Sequence, residues 1–452
     1  MTETARRRIP LLHCNPLVKT SYTPGVSAHG IRKSYPRYRL RHRASRLVPP
    51  GGRLTDSQTT FLSSTFRRMH PPDPTMMAGH LLNGIHTPPN DIEKPMPFHL
   101  RQHVEWPSPQ TLRVKDVLYG DFTITEPVLL HLINDASFQR LRGIHQHGIT
   151  PIVNVNKVRP SVCRFEHSLG AMLLVRILAP DDLSQQIAAL LHDISHTVLS
   201  HVADYAFGYV IHEVEKDDYV ATTAIPKILS QFGYDWRHIT SEEPGVWTLL
   251  EQPAPLLCAD RLDYGLRDII AFGVFSKEHV RLIVGQFVVH DRRIMCSDIA
   301  LARDLARGYM RCDILAWANP HHAGLYTFAG DAIRLALTHG VIRKDELWTG
   351  TDREFWNKIV ACGIKEIDEK TRYVNDHTTF TIVSGPADGE IVLNLKLKIR
   401  TIDPEIVVRT GDKIEVHRLS DMDKDYAKER NDYLNKMSGP IYLAVSQHLA
   451  GK

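Results

Sequence analysis

The sequence predicts a mostly α-helical protein with a small C-terminal α+β region and a disordered, basic N-terminal segment. Apolar residues at three- and four-residue spacing dominate residues 104–345, alternating apolar residues mark residues 346–452, and residues 1–103 show neither pattern. The chain has 452 residues, of which 43% are hydrophobic and 23% charged, so it is long enough to bury a full-sized core. No apolar run reaches the roughly 18 residues of a bilayer-spanning helix, and we expect no membrane span.

Residues 1–103 mix Arg, Pro, Ser and His without a helical or alternating period, which predicts disorder. Residues 1–70 contain 14 Lys and Arg but only 2 acidic residues. Such a composition is typical of an organelle transit peptide, of a segment that binds nucleic acid through charge, or of an inert leader. We expect a cytoplasmic or nuclear protein, with mitochondria as the alternative, and nucleic-acid contact only through this segment.

Residues 104–345 are predicted to form one helical domain. The stretch VLYGDFTITEP (117–127) predicts a short hairpin, and amphipathic helices are predicted over 128–148 and 184–208. Further helices are expected over 165–178, 258–273, 300–317 and 330–340. No GxGxxG or GxxxxGK[ST] element follows a strand, which argues against a Rossmann or P-loop nucleotide site. The six cysteines form no CxxC pair, so a zinc ribbon or a disulfide framework is not expected.

Residues 346–452 are predicted to form an α+β appendage. Its alternating stretches HTTFTIV, EIVLNLKLKIRTI, EIVVRTG and DKIEVHRL are bounded by Gly, Pro and Asp, which is typical of strands.

Four segments of the helical domain concentrate His, Asp and Arg among apolar residues: RFEHS (164–168), LLHDISHTVLSH (190–201), IHE (211–213) and ADRLDYGLRD (259–268). In a continuous helix, His192 and His196 share a face and Asp193 lies about 100° away. A buried His next to a buried Asp is costly unless both are paired or bind a cation. His and carboxylate ligands suit Fe, Mn, Zn or Mg, although any single His has a structural role as its alternative.

A polar stripe is predicted along the helix over 258–273. Its members are spaced at i, i+3, i+4, i+7 and i+8: Asp260, Asp263, Tyr264, Arg267 and Asp268. Spacing alone leaves two interpretations open, a solvated ion-pair ladder and a face that lines a cavity.

The order of these motifs resembles the HD-domain metal-dependent phosphohydrolases. Within them the chain is most similar to the SAM- and HD-domain deoxynucleoside triphosphate triphosphohydrolase group, which shares RFEHS, HD, HE, a DRLDY-type helix and the upstream FQRLR segment. The resemblance covers about residues 110–345. It implies an HD-domain helical core for the mostly α fold.

The resemblance also assigns site residues. It implies four metal ligands, which are His167, His192, Asp193 and Asp260. It implies three catalytic residues that hold or deliver protons, which are His196, Asp204 and His212. It implies six substrate contacts, which are Arg164, Gln146, His201, Arg261, Tyr264 and Asp268.

The function implied by the resemblance is hydrolysis of a nucleotide, in the leading hypothesis a dNTP, to a deoxynucleoside and triphosphate. The cofactor would be one divalent transition metal ion, Mn, Fe or Zn, with Mg on the substrate phosphates. A nucleotide substrate and a homo-oligomeric assembly are the partners implied. Two alternatives stay open: a nucleotide phosphomonoesterase or phosphodiesterase with the same metal site, and a non-catalytic nucleotide-binding regulatory module.

Overall fold

The computed structural model describes residues 102–155, 162–386 and 391–447. The predicted disordered, basic segment therefore lies outside the described residues, except for Gln102 and His103. About half of the described residues are helical, which confirms the prediction of a predominantly helical fold. None of the helices in these ranges combines the length and the apolarity that a membrane crossing requires.

Seventeen α-helices are present in the described ranges. They are α1 (Pro127–Asn134), α2 (Ala136–Gln139), α3 (Arg164–Leu178), α4 (Leu183–Leu191), α5 (Val202–Phe207), α6 (Ile211–Val214), α7 (Lys216–Ala221), α8 (Ile225–Gln231), α9 (Trp236–Ile239), α10 (Ala259–Ala271), α11 (Lys277–Val284), α12 (Ile299–Cys312), α13 (Pro320–Thr338), α14 (Asp352–Val360), α15 (Lys365–Thr371), α16 (Leu419–Met422) and α17 (Lys424–Lys436). Two 3₁₀ helices (Arg140–Gly143 and Lys344–Trp348) and one π-helix (Asp313–Trp317) connect some of them.

Ten strands form three small sheets in the same ranges. The strands are β1 (His103–Ser108), β2 (Thr111–Asp116), β3 (Gly120–Ile124), β4 (Phe287–His290), β5 (Arg293–Cys296), β6 (Thr378–Val383), β7 (Val392–Lys396), β8 (Glu405–Thr410), β9 (Lys413–Arg418) and β10 (Pro440–Gln447). The sheet orders are β1-β2-β3, β6-β10-β7 and β4-β5-β8-β9, and all pairs are antiparallel except β5 with β8.

Two hydrophobic clusters form the interior. The first joins β2 and β3 with α1, α3, α4, α10 and α12, and it includes the fully buried Phe138 and Phe165. The second surrounds α13 with α14, α15 and the β6-β10-β7 sheet. Ile194 belongs to the first cluster and Val198 to the second, so the loop between α4 and α5 connects the two.

The residues after 346 contribute to both clusters. Ile359 of α14 and Leu395 of β7 belong to the second cluster, whereas Ile402 and Tyr426 belong to the first. The predicted strands over 377–383, 405–411 and 412–419 are confirmed as β6, β8 and β9. The division of the chain after residue 345 stays a prediction.

The single helix predicted over 128–148 is wrong, because the chain forms α1, α2, a 3₁₀ helix and then turns. The break lies at Asp135, whose backbone is extended and whose carboxylate accepts a hydrogen bond from the Ser137 amide at 2.9 Å. Asp in this position satisfies a backbone donor and starts a new helix.

The continuous helix predicted over 184–208 is also wrong. Helix α4 ends at Leu191, and α5 begins only at Val202. The Val198 amide donates to the carbonyl of Leu347 at 2.8 Å, and the Leu199 amide donates to Asp352 Oδ1 at 2.6 Å. These contacts with a distant segment replace helical hydrogen bonds and hold Leu199 at a φ of 60°. The expectation that His192 and His196 share a helical face therefore fails.

Candidate metal centre

Three elements bring the four predicted metal ligands together. Helix α3 begins at Arg164, so His167 lies in its first turn and is fully buried. His192 follows the last residue of α4, and Asp193 stands in the turn that comes next. Asp260 is the second residue of α10. The site therefore lies where two helices begin and a third ends.

The ligand atoms of these four residues are mutually close. His167 Nε2 lies 3.0 Å from Asp260 Oδ1, 3.1 Å from His192 Nε2 and 3.6 Å from Asp193 Oδ2. His192 Nε2 lies 3.4 Å from Asp260 Oδ1 and 3.6 Å from Asp193 Oδ1. Metal bonds of about 2.1 Å place neighbouring ligand atoms roughly 3.0–3.4 Å apart. The spacing of these atoms is thus close to that of the ligands of one divalent ion.

Hydrogen bonds orient both imidazoles so that Nε2 points inward. His167 Nδ1 lies 2.8 Å from Asp263 Oδ2, and His192 Nδ1 lies 2.8 Å from the carbonyl of Ala189. Asp263 also accepts a hydrogen bond from Arg267 Nε at 2.9 Å and is fully buried. Partners of this kind fix the tautomer and the ring orientation of metal-binding histidines.

The electrostatics of the cluster favour a cation at its centre. Burial would lower the pKa of His167, but its hydrogen bonds to Asp260 and Asp263 and the charge of Asp193 raise that pKa to about 10. Burial would raise the pKa of Asp193, but Arg164 and the two histidines hold it below its usual range. The donor set therefore stabilises positive charge where a divalent ion would bind, and the residues fit that ion.

Arg164 lies directly beside the ligand cluster. Its Nη1 donates to Asp193 Oδ2 at 2.6 Å and its Nε donates to Ser200 Oγ at 3.1 Å. The guanidinium is thus held next to the metal ligands, with Nη2 making no hydrogen bond to the described residues. This position suits the predicted phosphate contact, because arginine binds phosphate oxygens through several donors at once.

A second group of His and Asp side chains adjoins the first. His196 Nε2 lies 3.3 Å from Asp193 Oδ1, and its ring stacks on that of His212 with 3.7 Å between the ring centroids. His201 Nδ1 lies 2.9 Å from Asp204 Oδ2, and His212 Nδ1 lies 3.8 Å from Asp204 Oδ1. The structure thus brings together all three predicted catalytic residues and His201.

Burial and nearby positive charge lower the pKa values of two histidines of this second group, His196 and His201. Burial is the largest effect that lowers the pKa of His201, to about 4, although Asp204 opposes it. Burial and the charge of Arg164 lower the pKa of His196 as well. An anionic ligand bound beside these rings would raise both pKa values, since it would cancel the charge of Arg164.

Two of the residues predicted to contact the substrate, Gln146 and Asp268, differ in their hydrogen bonding. Gln146 Oε1 is buried and has no hydrogen-bond partner among the described residues, so it can accept from a ligand hydroxyl. Both oxygens of Asp268 already have partners, since Oδ1 lies 3.0 Å from His147 Nε2 and Oδ2 accepts from Trp317 Nε1 at 2.7 Å. A sugar contact by Asp268 would therefore share a lone pair or displace one donor.

The two remaining predicted contacts lie on α10 beside Asp260. Arg261 donates to the carbonyls of Leu256 at 2.6 Å and Gln252 at 3.1 Å, so it fixes the loop that leads into α10. The Tyr264 hydroxyl shares a short hydrogen bond with that of Tyr309. In this arrangement both side chains bond within the protein, and their predicted contacts with substrate stay predictions.

Comparison with known proteins identifies the family. No family model matches the chain. A metal-dependent phosphohydrolase, cns2 of Cordyceps militaris, is 35% identical over 334 residues, which cover 72% of this chain and 92% of that protein. The chain belongs to the HD-domain metal-dependent phosphohydrolases. This finding confirms the resemblance drawn from the motifs, and the candidate ligand groups support a divalent metal as cofactor.

Other relatives of this phosphohydrolase match it over different lengths of chain. The uncharacterized protein YdhJ of Bacillus subtilis is 34% identical over 303 residues, which cover 65% of this chain and 88% of that protein. The deoxynucleoside triphosphate triphosphohydrolase SAMHD1 of Danio rerio is 35% identical over only 125 residues, or 24% of this chain and 20% of that protein. The crystal structure of a Bacteroides thetaiotaomicron phosphohydrolase shares the fold, with a TM-score of 0.50, 15% identity, and coverage of 77% of this chain and 100% of that chain.

Sequence patterns did not reveal several residues that shape the site of this phosphohydrolase. Asp352 accepts from the amide of Leu199 and, at 2.7 Å, from that of His145. Trp348 Nε1 donates to the carbonyl of Ser195 at 2.8 Å. These two side chains lie about 150 residues from the loop that they hold, and no local spacing could have indicated them.

Proposed function

We propose that this phosphohydrolase has an HD-domain core and hydrolyses deoxynucleoside triphosphates to a deoxynucleoside and triphosphate. Water adds to the α-phosphorus and the bond between that phosphorus and the 5′-oxygen breaks, so the departing 5′-oxygen must gain a proton. One observation carries the proposal: the metal-ligand cluster is joined through His196 to a group of histidines around Asp204. The local similarity to SAMHD1 supports the choice of substrate.

Different side chains bind the phosphate charge and transfer the proton. A bound divalent metal would lower the pKa of its coordinated water and neutralise phosphate charge. Arg164 binds an oxygen of the α-phosphate from its position beside Asp193. His212 supplies the proton to the 5′-oxygen; its ring stacks on His196, and its Nδ1 lies 3.8 Å from Asp204 Oδ1. Phosphoryl transfer depends mostly on such positioning and charge neutralisation.

The sugar end of the pocket offers contacts for a nucleoside. Gln146 Oε1 accepts from a sugar hydroxyl, since it has no partner among the described residues. Tyr264 packs edge-on against Trp317, with 5.0 Å between ring centroids, and these rings form an aromatic wall beside Asp268. A flat apolar wall next to polar groups suits a nucleoside.

The product profile of the purified protein tests the proposal. The protein is loaded in turn with Mn, Fe or Zn, with Mg present, and given dNTPs, NTPs, nucleoside monophosphates and cyclic nucleotides. Triphosphate plus deoxynucleoside is the expected pair, by chromatography and mass spectrometry. Orthophosphate would indicate a phosphomonoesterase, a monophosphate from a cyclic nucleotide would indicate a phosphodiesterase, and no turnover would indicate a binding module.

A variant separates chemistry from metal binding. We expect His212→Ala to keep the metal content of the wild type, because His212 lies outside the ligand cluster, and to lower kcat by about 10²–10⁴-fold, the usual effect of losing a general acid. His192→Ala serves as the control that loses the metal. If His212→Ala turns over dNTPs at the wild-type rate, the proton-donor role is wrong.

A further inference from the structure

Two basic residues of the C-terminal region lie on a segment that is hydrogen-bonded to the loop before α10. Lys398 and Arg400 follow β7. The Arg400 amide donates to Asp313 Oδ2 at 2.9 Å, and the Asp403 amide donates to the carbonyl of Pro255 at 2.9 Å. Pro255 belongs to the loop that leads directly to Asp260. The segment is therefore fixed by backbone hydrogen bonds next to a metal ligand.

The charges of this segment are poorly balanced. The Lys398 side chain is exposed, and within the described part of the chain its ammonium group makes no hydrogen bond or ion pair. The Arg400 guanidinium makes one hydrogen bond, from Nη1 to the carbonyl of Lys398 at 3.2 Å. The like charge of Arg400, then burial and the charge of Arg261, lower the pKa of Lys398 despite the nearby carboxylates of Glu213 and Asp260. The positive charges of Lys398, Arg400 and Arg261 therefore lie close together.

Lys398 and Arg400 lie on a segment that adjoins the loop before Asp260, because the Asp403 amide donates to Pro255 of that loop and Arg261 donates to its carbonyls. The effect of the Asp260 carboxylate on the pKa of Lys398 agrees with this placement. Arg164 belongs to α3 and the two cations belong to the segment after β7, so they approach the site from different elements. An anion that extends from the metal cluster toward the loop over residues 252–256 would meet Lys398 and Arg400.

We propose that Lys398 and Arg400 form a subsite for the β- and γ-phosphates of the nucleotide. The inference rests on the proposed function, and it assigns selectivity for a triphosphate chain to the C-terminal region. A nucleoside monophosphate reaches Arg164 and the metal ligands but not this subsite, whereas a triphosphate gains charge-assisted hydrogen bonds from it. The subsite is thus a binding element, separate from the residues that transfer protons.

Binding of inorganic tripolyphosphate and of orthophosphate to the metal-loaded, full-length protein tests the subsite by calorimetry. We expect Lys398→Ala to weaken tripolyphosphate binding about tenfold and the double variant Lys398→Ala/Arg400→Ala to weaken it further, because each loses a charged donor. Orthophosphate affinity and metal content should stay at wild-type values. Lys396→Ala is the matched control, since Lys396 is an exposed lysine on β7 two residues away.

The outcomes separate this inference from the proposed function. Tripolyphosphate binding that is absent in the wild type, or equal in the wild type and the double variant, overturns the subsite even if dNTPs yield triphosphate. Binding that depends on Lys398 while dNTPs yield no triphosphate keeps the subsite and rejects the proposed reaction. If the double variant is unstable on heating, the single variant Lys398→Glu decides the question, because it keeps Arg400 and its charge reversal should abolish tripolyphosphate binding.

Discussion

The hydrogen bond between His167 and Asp263 makes a quantitative prediction about metal affinity. Asp263→Asn keeps the size of the side chain but replaces one carboxylate oxygen by an amide group. Asp263 Oδ2 lies 2.8 Å from His167 Nδ1, and the carboxylate also accepts from Arg267 and, at 3.0 Å, from the hydroxyl of Tyr119. The variant therefore loses the negative charge that orients His167 and neutralises Arg267.

Two estimates of the effect agree. Loss of an outer partner of a metal-bound histidine lowers metal affinity by about 10–100-fold, or roughly 1.4–2.7 kcal/mol. A hydrogen bond to a charged group contributes about 1.5–3 kcal/mol. The stability cost should stay below the roughly 3–5 kcal/mol of an uncompensated buried charge, because Arg267 Nη2 still donates to Asp116 Oδ2 at 2.8 Å.

Asp116→Asn is the matched control for this prediction. Asp116 is buried and neutralises the same Arg267, but none of its hydrogen bonds reaches His167. Metal affinity is measured by competition with a chelator of known affinity, and stability by thermal unfolding of the metal-free proteins. Asp263→Asn should weaken metal binding and Asp116→Asn should not. Equal losses in the two variants would refute the reasoning, because the effect would then come from Arg267 and not from His167.

Three further outcomes are expected. Asp193→Ala should bind no metal and show no turnover, as measured by elemental analysis and product assay, and retention of either would remove Asp193 from the ligand set. Gly170→Ala should lower the free energy of unfolding by about 1–3 kcal/mol, because its new methyl group would overlap the Arg267 guanidinium; an unchanged thermal midpoint would contradict this. Trp348→Phe removes the donor to the Ser195 carbonyl, so we expect a loss of about 0.5–1.5 kcal/mol and a lower kcat, and unaltered kinetics would show that this bond does not position the loop.

The sequence predicted the site better than the local backbone that holds it. The resemblance to a phosphohydrolase family, carried by the order of the motifs, implied the four metal ligands, and the structure brings these residues together; from the residues alone, each histidine had a structural role as its alternative. The continuous helix over 184–208 failed because Val198 and Leu199 bond to residues about 150 positions later. Apolar periodicity reports burial, and the loop is as buried as a helix. The pattern therefore could not tell a buried turn from a buried helix.

The polar stripe of α10 shows a second limit of sequence patterns. The spacing allowed either a solvated ion-pair ladder or a face that lines a cavity. In the structure, one member of the stripe belongs to the metal-ligand cluster and two others form a buried ion pair. Asp260 belongs to the metal-ligand cluster, while Asp263 and Arg267 form an ion pair that is almost fully buried. The positions of Asp263 and Arg267, three and seven residues after Asp260, could have indicated that they support a metal ligand. Their burial, however, depends on packing against α3.

The turn after α4 explains how two consecutive residues take part in one metal site. Neighbouring residues in a helix point about 100° apart, so His192 and Asp193 can face the same ion only where the chain leaves helical geometry. The loop over residues 195–199, which follows directly, is held by Leu347, Trp348 and Asp352, all from the region after residue 345. That region also carries the proposed phosphate subsite. The C-terminal residues are therefore part of the architecture of the metal centre.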